Sequence, residues 1–248
     1  MKVSVIIPAA GASQRFGGKT KKIFERIKDR PIFVRSIELF VNREDVCQIM
    51  LVVAPADLET MKERYAANIG FMGVQMVTGG ADRTESVRNA LAQVSAEAEY
   101  VCVHDAVRPC VSPLWIDAVF AAAAKGGAAI LAYPVHGTLK QVAGEAGSGE
   151  GNRAVERTVD RAGLWEAQTP QVFRKDLLLA AYAGLAKGTD DAQLVEAAGG
   201  KVAVVMGDPR NVKITTRGDL ALVTAVIDSL PKPKPKRSGA NPLDEAQW

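Results

Sequence analysis

The stretch Val3-Ser-Val-Ile-Ile-Pro-Ala-Ala-Gly11 decides the fold class of this chain, because a strand pattern ends in it and a loop of small residues begins. From Val3 to Pro8 the residues are mostly β-branched and apolar, which predicts a strand buried on both faces. The loop leaves the carboxyl end of that strand, where open α/β sheets bind their ligands. The stretch therefore predicts both an α/β protein and the position of its site.

The residues that follow alternate between apolar runs and helical periodicity, which predicts a parallel, doubly wound sheet with helices on both faces. Further strands are predicted at 49–54, 74–77, 100–104, 128–134, 201–206 and 211–215. Helices are predicted at 31–41, 57–65, 84–94, 113–125, 175–186, 190–198 and 217–230.

Two segments depart from this alternation. Residues 136–160 are polar and rich in glycine, and such a long irregular insertion predicts a functional or mobile arm that could reach a partner subunit. Residues 231–248 begin with alternating Pro and Lys, which predicts a disordered tail. The domain itself is therefore expected to span residues 1–230.

Composition excludes several classes of protein. The 248 residues are 48% apolar and 24% charged, with a net charge of +3, which is a small excess for a general nucleic-acid binder. No apolar run approaches the roughly 20 residues of a membrane span, and the segment before Pro8 is too short for a secretory signal. Cys47, Cys102 and Cys110 lack paired spacing, which predicts buried free thiols in a reducing cytoplasm.

The loop after the first strand predicts a polyphosphate site. Its small residues would let a phosphate approach backbone N–H groups, and seven basic residues against two acidic ones follow between Arg15 and Arg30. The dinucleotide pattern G-x-G-x-x-G fails because Ser13 stands two residues after Gly11, and the Walker A pattern lacks its first glycine. A tight turn with a solvated basic face is the structural alternative.

Three other motifs are candidates for a site, and the first of them lies at the same edge of the sheet. His104-Asp-Ala-Val-Arg108 follows a strand, so Asp105 could face a metal or hydroxyls and Arg108 could hold a phosphate, whereas His104 is expected to be structural. Gly79-Gly80 before Ser86 could admit a base or ribose. Lys213, between apolar neighbours, is expected to point inward. A thiol nucleophile at Cys102 is disfavoured because the strand is buried.

These pieces in this order resemble the 2-C-methyl-D-erythritol 4-phosphate cytidylyltransferase family over residues 1–230. The resemblance is carried by PAAGxxxR with a lysine seven residues later, GGxxRxxSV, VHDAxRP, TVDRxGLWxxxTPQ, TDxA and NxKxT. It implies a Rossmann-like nucleotidyltransferase fold, with a mostly parallel twisted sheet and helices on both faces. It also implies a cytoplasmic homodimer in which the arm of each subunit reaches the active site of the other.

The resemblance further implies a reaction. CMP would pass from CTP to 2-C-methyl-D-erythritol 4-phosphate, giving 4-diphosphocytidyl-2-C-methyl-D-erythritol and pyrophosphate in the non-mevalonate isoprenoid pathway, with Mg2+ held mainly by the CTP phosphates. Two alternatives remain open at this point: a cytidylyltransferase for another polyol phosphate such as ribitol 5-phosphate, and a non-catalytic nucleotide-sensing module.

The family's residue roles can be carried onto matching positions. Arg15 and Lys22 would stabilise the transition state, and Lys213 and the partner-derived Arg161 would position methylerythritol phosphate. The expected CTP contacts are Ala9, Ala10, Gly11, Arg15, Lys22, Gly80, Ser86, Ala106 and Lys213. The expected contacts to methylerythritol phosphate are Asp105, Arg108, Thr138, Arg161, Thr169, Thr189 and Lys213.

Three positions depart from the family pattern. Ser13 stands where a glycine is usual, Lys21 stands where a proline commonly precedes the lysine, and Arg210 occupies a commonly acidic position. None of these departures removes a residue with an expected charge-stabilising role.

Overall fold

The computed structural model describes residues 1–11, 13, 16–17, 20–143, 152–184 and 188–233. The predicted tail from 234 onward lies outside these residues, so the domain limit at 230 stays a prediction. The described strands are β1 (Val3–Pro8), β2 (Arg26–Ile27), β3 (Arg30–Pro31), β4 (Val46–Val53), β5 (Val74–Thr78), β6 (Tyr100–Val103), β7 (Ala128–Pro134), β8 (Leu139–Val142), β9 (Val155–Val159), β10 (Trp165–Arg174) and β11 (Ala203–Met206).

Seven of the described strands form one sheet in the order β11-β7-β10-β6-β1-β4-β5. Its pairings are parallel except those of β10, which runs antiparallel to both β6 and β7. The predicted α/β class with a mostly parallel sheet is confirmed. From β1 the chain proceeds outward to β4 and β5, then returns to the other side of β1 as β6. The crevice beyond β1 and β6 is therefore a topological switch point, where such sheets bind ligands.

Helices cover both faces of this sheet. The described helices are α1 (Ile32–Glu38), α2 (Leu58–Phe71), α3 (Arg83–Leu91), α4 (Pro113–Gly126), α5 (Lys175–Ala183), α6 (Asp191–Ala197) and α7 (Arg217–Val226). One core contains Val5 and Ile7 of β1 with residues of α1, α2, α4 and α7, and the other contains Ile6 with residues of α3, α5 and α6. Because successive strand residues point to opposite faces, a strand buried on both faces is mostly apolar. The buried polar residue of β1, Ser4, donates its hydroxyl to Gln48 Oε1 at 2.7 Å.

Strand β10, in the interior of the sheet, was not predicted from the sequence. Its sequence, Trp165-Glu-Ala-Gln-Thr-Pro-Gln-Val-Phe-Arg174, has polar residues and a proline inside the run, features that argue against a central strand. The structure accommodates them at an irregularity in the pairing with β7, between Ala167 and Gln171, where ladder hydrogen bonds are not required.

Two other predictions need correction. Residues 211–215 are not a strand, although Ile214 donates its N–H to the carbonyl of Val107 at 2.9 Å. The arm is not wholly irregular, because β8 and β9 pair as an antiparallel ribbon, while residues 144–151 between them lie outside the described part.

Among the described residues, no helix has the length and apolar character needed to cross a membrane.

The cysteine prediction is confirmed for two of the three residues. Cys102 and Cys110 are buried free thiols, whereas Cys47 is half-buried with its sulfur 3.4 Å from the carbonyl of Val3. Burial raises the pKa of the Cys110 thiol to about 12 and that of the Cys102 thiol further, so both are packing residues.

Candidate active site

A cavity of about 380 Å³ lies at the switch point, beyond the carboxyl ends of β1 and β6. Lys22 from the start of the chain and Lys213 from its end both line this cavity. Its described lining residues are Pro8, Ala9, Ala10, Gly11, Lys22, Ile23, Gly80, Ala81, Asp82, Arg83, Ser86, Asp105, Val107 and Lys213. Eight of the residues expected from the resemblance therefore lie together.

Two small-residue loops meet along one wall. A Cβ at position 79 would lie 2.8 Å from the Cβ of Ala10, so only glycine permits this approach. The N–H of Gly80 donates to Ser86 Oγ at 3.0 Å, and the side chain of Asp82 caps α3 by accepting the N–H of Glu85. The N-terminus of α3 thus lies beside the cavity, and a helix N-terminus favours an anion.

Two adjacent lysines take different directions. Lys21 reaches away from the cavity to Asp57, with its Nζ 2.7 Å from Oδ2, whereas Lys22 lines the cavity. The N–H of Lys22 donates to Ser13 Oγ at 3.3 Å, and Ser13 has a φ of 58°, in the left-handed region that suits the glycine usual there. Arg15 lies outside the described residues.

Asp105 is the hub of the opposite wall. Its Oδ2 lies 2.9 Å from Lys213 Nζ and 3.3 Å from Arg108 Nε, and its Oδ1 lies 4.0 Å from Arg83 Nε. Burial alone would raise the pKa of this carboxyl, but the positive charges of Lys213, Arg83 and Arg108 outweigh it and hold the pKa well below its usual range. Asp105 is therefore ionised at neutral pH, and the surrounding cations hold its carboxylate in place.

Arg108 and Ala106 lie behind this wall and do not line the cavity. Arg108 is buried and donates through Nη1 to the carbonyl of Asn211 at 2.7 Å, which ties the loop after β6 to the segment carrying Lys213. Ala106 is also buried, and its carbonyl accepts the hydroxyl of Ser36 at 2.9 Å. In this structure both residues hold the site together.

His104 is a structural residue, as expected. Its Nε2 donates to the carbonyl of Arg108 at 3.0 Å, so its Nδ1 is the acceptor for the hydroxyl of Thr169, also at 3.0 Å. Thr169 Oγ1 in turn accepts the N–H of Asp105 at 3.1 Å. Both ring nitrogens are used, so the imidazole has none left to activate Cys102.

The imidazole of His104 is expected to remain neutral far into the acidic range. Complete burial lowers its pKa to about 4, whereas an unfolded chain would titrate near 6.5. Between these values only the unfolded state gains the proton, so the free energy of unfolding falls as pH drops, by about 3 kcal/mol in total. An NMR titration of the His136→Gln variant, which leaves His104 as the only imidazole, measures this directly. Titration near 6.5 would contradict it.

Arg83 also lines the cavity, although no role was predicted for it from the sequence. Its guanidinium is held by Asp191 through two hydrogen bonds, with Nη1 3.1 Å from Oδ1 and Nη2 2.5 Å from Oδ2. Tyr182 donates its hydroxyl to the same carboxylate. In the sequence, Arg83 stands out only as the arginine of the GGxxRxxSV motif. Its partner Asp191 lies 108 residues further along the chain, so local spacing does not reveal the ion pair.

Three expected substrate contacts lie away from the described cavity. Thr138 is exposed at the base of the arm, and Arg161 is exposed with Nη1 donating to the carbonyl of His136. Thr189 is exposed beside α6, with its hydroxyl 3.1 Å from Gln193 Oε1. Thr169 is buried in the His104 network. Within one chain, the arm residues therefore do not join the site.

The chain is similar to known proteins over nearly its whole length. A family model described as 2-C-methyl-D-erythritol 4-phosphate cytidylyltransferase matches residues 3–229. The enzyme of that name from Rhodopirellula baltica is 42% identical over 239 residues, covering 91% of this chain and 95% of its relative. The one from Syntrophotalea carbinolica is 39% identical over 92% of this chain and 97% of its own.

Solved structures also resemble this chain over nearly its whole length. The crystal structure of 2-C-methyl-D-erythritol 4-phosphate cytidylyltransferase from Thermus thermophilus superposes with a TM-score of 0.74 at 33% identity, covering 92% of this chain and all of that one. The 4-diphosphocytidyl-2C-methyl-D-erythritol synthase from Anaerococcus prevotii gives 0.73 at 27% identity, with coverages of 92% and 96%.

Proposed function

The chain belongs to the 2-C-methyl-D-erythritol 4-phosphate cytidylyltransferase family, and from that premise we propose that its reaction takes place in the cavity beyond β1 and β6. The enzyme transfers CMP from CTP to 2-C-methyl-D-erythritol 4-phosphate in isoprenoid biosynthesis. Its products are 4-diphosphocytidyl-2-C-methyl-D-erythritol and pyrophosphate. The observation that carries the site assignment is that Lys22 and Lys213, from opposite ends of the chain, line one cavity.

The chemistry needs cations more than it needs a base. The phosphate oxygen of methylerythritol phosphate is already anionic, so it attacks the α-phosphorus of CTP without losing a proton. A bond from that oxygen to the α-phosphorus forms in line as the bond to the β-phosphate oxygen breaks, and pyrophosphate leaves with the electron pair. The obstacle is repulsion between two anions, which fixed positive charges reduce. The buried, neutral His104 fits a reaction with no general base.

The positive side chains divide between the two phosphates. Arg15 and Lys22 would stabilise charge on the α-phosphoryl oxygens, while Lys213 would hold the incoming phosphate. The carboxylate of Asp105 is ionised and pairs with neighbouring cations. It would accept hydrogen bonds from the hydroxyls of methylerythritol. Arg108 and Thr169 would support Asp105 from behind, and Thr189 would close the outer side. Ala9 to Gly11, Gly80 and Ser86 would form the CTP side, with Ala106 buried behind the cavity wall.

Magnesium would be carried in by the nucleotide. Among the described residues there is no cluster of three or more His, Cys, Asp and Glu that could hold a metal ion. Asp105 is a weak candidate as a ligand because Lys213 and Arg108 already occupy its Oδ2. This donor set fits Mg2+ bound mainly by CTP phosphates, where it would neutralise charge on the triphosphate.

A homodimer would complete the site. Exposed apolar side chains on the ribbon and on β11, at the edge of the main sheet, support an interface; they are Leu139, Val142, Val155, Val204 and Met206. A second copy seated on these residues would bring its own Thr138 and Arg161 to this chain's cavity.

The free thiols of Cys102 and Cys110 fit a reducing compartment, so we place the enzyme in the cytoplasm.

The test is pyrophosphate release from CTP with each candidate acceptor. We expect turnover with methylerythritol phosphate and at least about 100-fold lower kcat/KM with ribitol 5-phosphate, because the hydroxyls that Asp105 and the arm would contact are arranged differently. Measured CTP binding without release from any acceptor would instead indicate a nucleotide sensor. Equal turnover of both acceptors would contradict the proposed role of Asp105 and the arm.

A further inference from the structure

The short helical turn that carries Lys22 is attached at both ends to α2. It spans Lys22–Phe24 as a 3-10 helix and is preceded by Lys21. At its start, Lys21 Nζ lies 2.7 Å from Oδ2 of Asp57, the residue immediately before α2. At its end, the ring of Phe24 stacks on Tyr65 of α2, with ring centroids 5.8 Å apart and planes 9° apart.

Between these two attachments the turn faces the cavity. Lys22 and Ile23 both line it, and Ile23 is otherwise buried. The four residues from Lys21 to Phe24 therefore divide into an outer pair and an inner pair. Lys21 and Phe24 contact α2, and the two residues between them face the substrate side. Fixing both ends limits rotation of the turn, and that rotation would move the Lys22 ammonium.

We propose that Lys21 and Asp57 are positioning residues that hold Lys22 in its reactive orientation. This inference rests on the proposed function, in which Lys22 stabilises the transition state. Neither residue lines the described cavity, so they act through Lys22 alone. Placement matters because an error of about 1 Å at a catalytic group can cost about 100-fold in rate.

The ion pair is suited to an anchor because one partner is nearly buried. The side chain of Asp57 is 9% exposed and that of Lys21 is 30% exposed, so water screens this pair less than a surface pair. By contrast, the pair of Lys28 with Asp228 is 48% and 73% exposed. Such exposed pairs typically contribute little, which makes Lys28 a matched control.

The backbone offers an independent way to replace the anchor. Lys21 has φ −64° and ψ 140°, and proline fixes φ near −65°. Proline at position 21 would therefore restrict the same conformation without a charge. If positioning is the role of Lys21, Lys21→Pro retains more activity than Lys21→Met, although both lose the ion pair.

The experiment measures kcat, KM and Tm for Lys21→Met, Asp57→Asn, Lys21→Pro and the control Lys28→Met. We expect kcat about tenfold lower for Lys21→Met and Asp57→Asn, with KM for CTP little changed and Lys28→Met at the wild-type rate. In a Lys22→Met background, Lys21→Met should add no further loss, because the group it positions is gone. Asp57→Asn conserves shape and remains informative if Lys21→Met folds poorly.

The outcomes separate the two proposals. Normal kcat in Lys21→Met and Asp57→Asn, together with impaired Lys22→Met, would overturn the positioning role alone. A loss in Lys21→Met that persists equally in the Lys22→Met background would do the same, as would equal losses in Lys21→Pro and Lys21→Met. Normal kcat in Lys22→Met would overturn the transition-state role of Lys22 in the proposed function, on which the positioning role rests.

Discussion

Replacing Lys22 with methionine is expected to lower kcat by about 10²–10³-fold, which is the typical cost of losing one preorganised contact to developing negative charge. Methionine retains the length of the aliphatic stem, so the packing of that stem is largely preserved. The Tm should therefore change little. Steady-state pyrophosphate release and thermal unfolding measure the two quantities on the same preparation.

Lys62→Met is the matched control for this substitution. Lys62 is exposed on α2, away from the cavity, so its replacement changes net charge equally without touching the site. The control should retain the wild-type kcat. A Lys22→Met enzyme with near-normal kcat and an unchanged Tm would remove Lys22 from the transition state.

Replacing Arg161 with methionine is expected to lower kcat/KM for methylerythritol phosphate by about 100-fold or more, with CTP binding nearly unchanged. Arg161 stands on the arm and does not line its own chain's cavity, yet its proposed target is the acceptor phosphate of a neighbouring site. A planar guanidinium binds phosphate through two parallel hydrogen bonds, which methionine cannot replace.

Arg157→Met controls for changes in the arm itself. Arg157 lies on the same ribbon, in β9, and its Nε donates to Gln141 Oε1 at 2.8 Å. It should leave kcat/KM close to wild type. If both variants lost activity equally, the loss would reflect a disturbed ribbon and not a contact of Arg161 with substrate.

Local patterns in the sequence were enough to predict most of the sheet. β7 was predicted at 128–134 and is observed at Ala128–Pro134, and β1 matches as well. Both are apolar runs buried on two faces, for which the pattern is unambiguous. The strand β10 was missed because Pro170 and its polar neighbours are accommodated by an irregular pairing with β7, which no local pattern encodes.

At the site, too, local sequence patterns predict some residues and miss others. Gly80, Ser86, Asp105 and Lys213 lie in recognisable motifs, and the structure brings them to one cavity. The carboxylates that pair with Lys21 and Arg83 are distant in sequence. Asp57 lies in none of the quoted motifs, and Asp191 occupies the unspecified position of TDxA. Asp57 lies 36 residues from Lys21, and Asp191 lies 108 residues from Arg83. Only the packing of α2 and α6 against the sheet makes those pairs.

The central claim is that cations from two copies of the chain converge on one site, and a mixed dimer tests it most directly. Lys22→Met and Arg161→Met chains, carrying different affinity tags, are co-expressed and the heterodimer is isolated through both tags. If each arm serves its partner, one of the two sites combines an intact Lys22 with an intact Arg161. The heterodimer should then recover about half of the wild-type activity per dimer, although both parent homodimers are nearly inactive. A heterodimer as inactive as its parents would contradict the account.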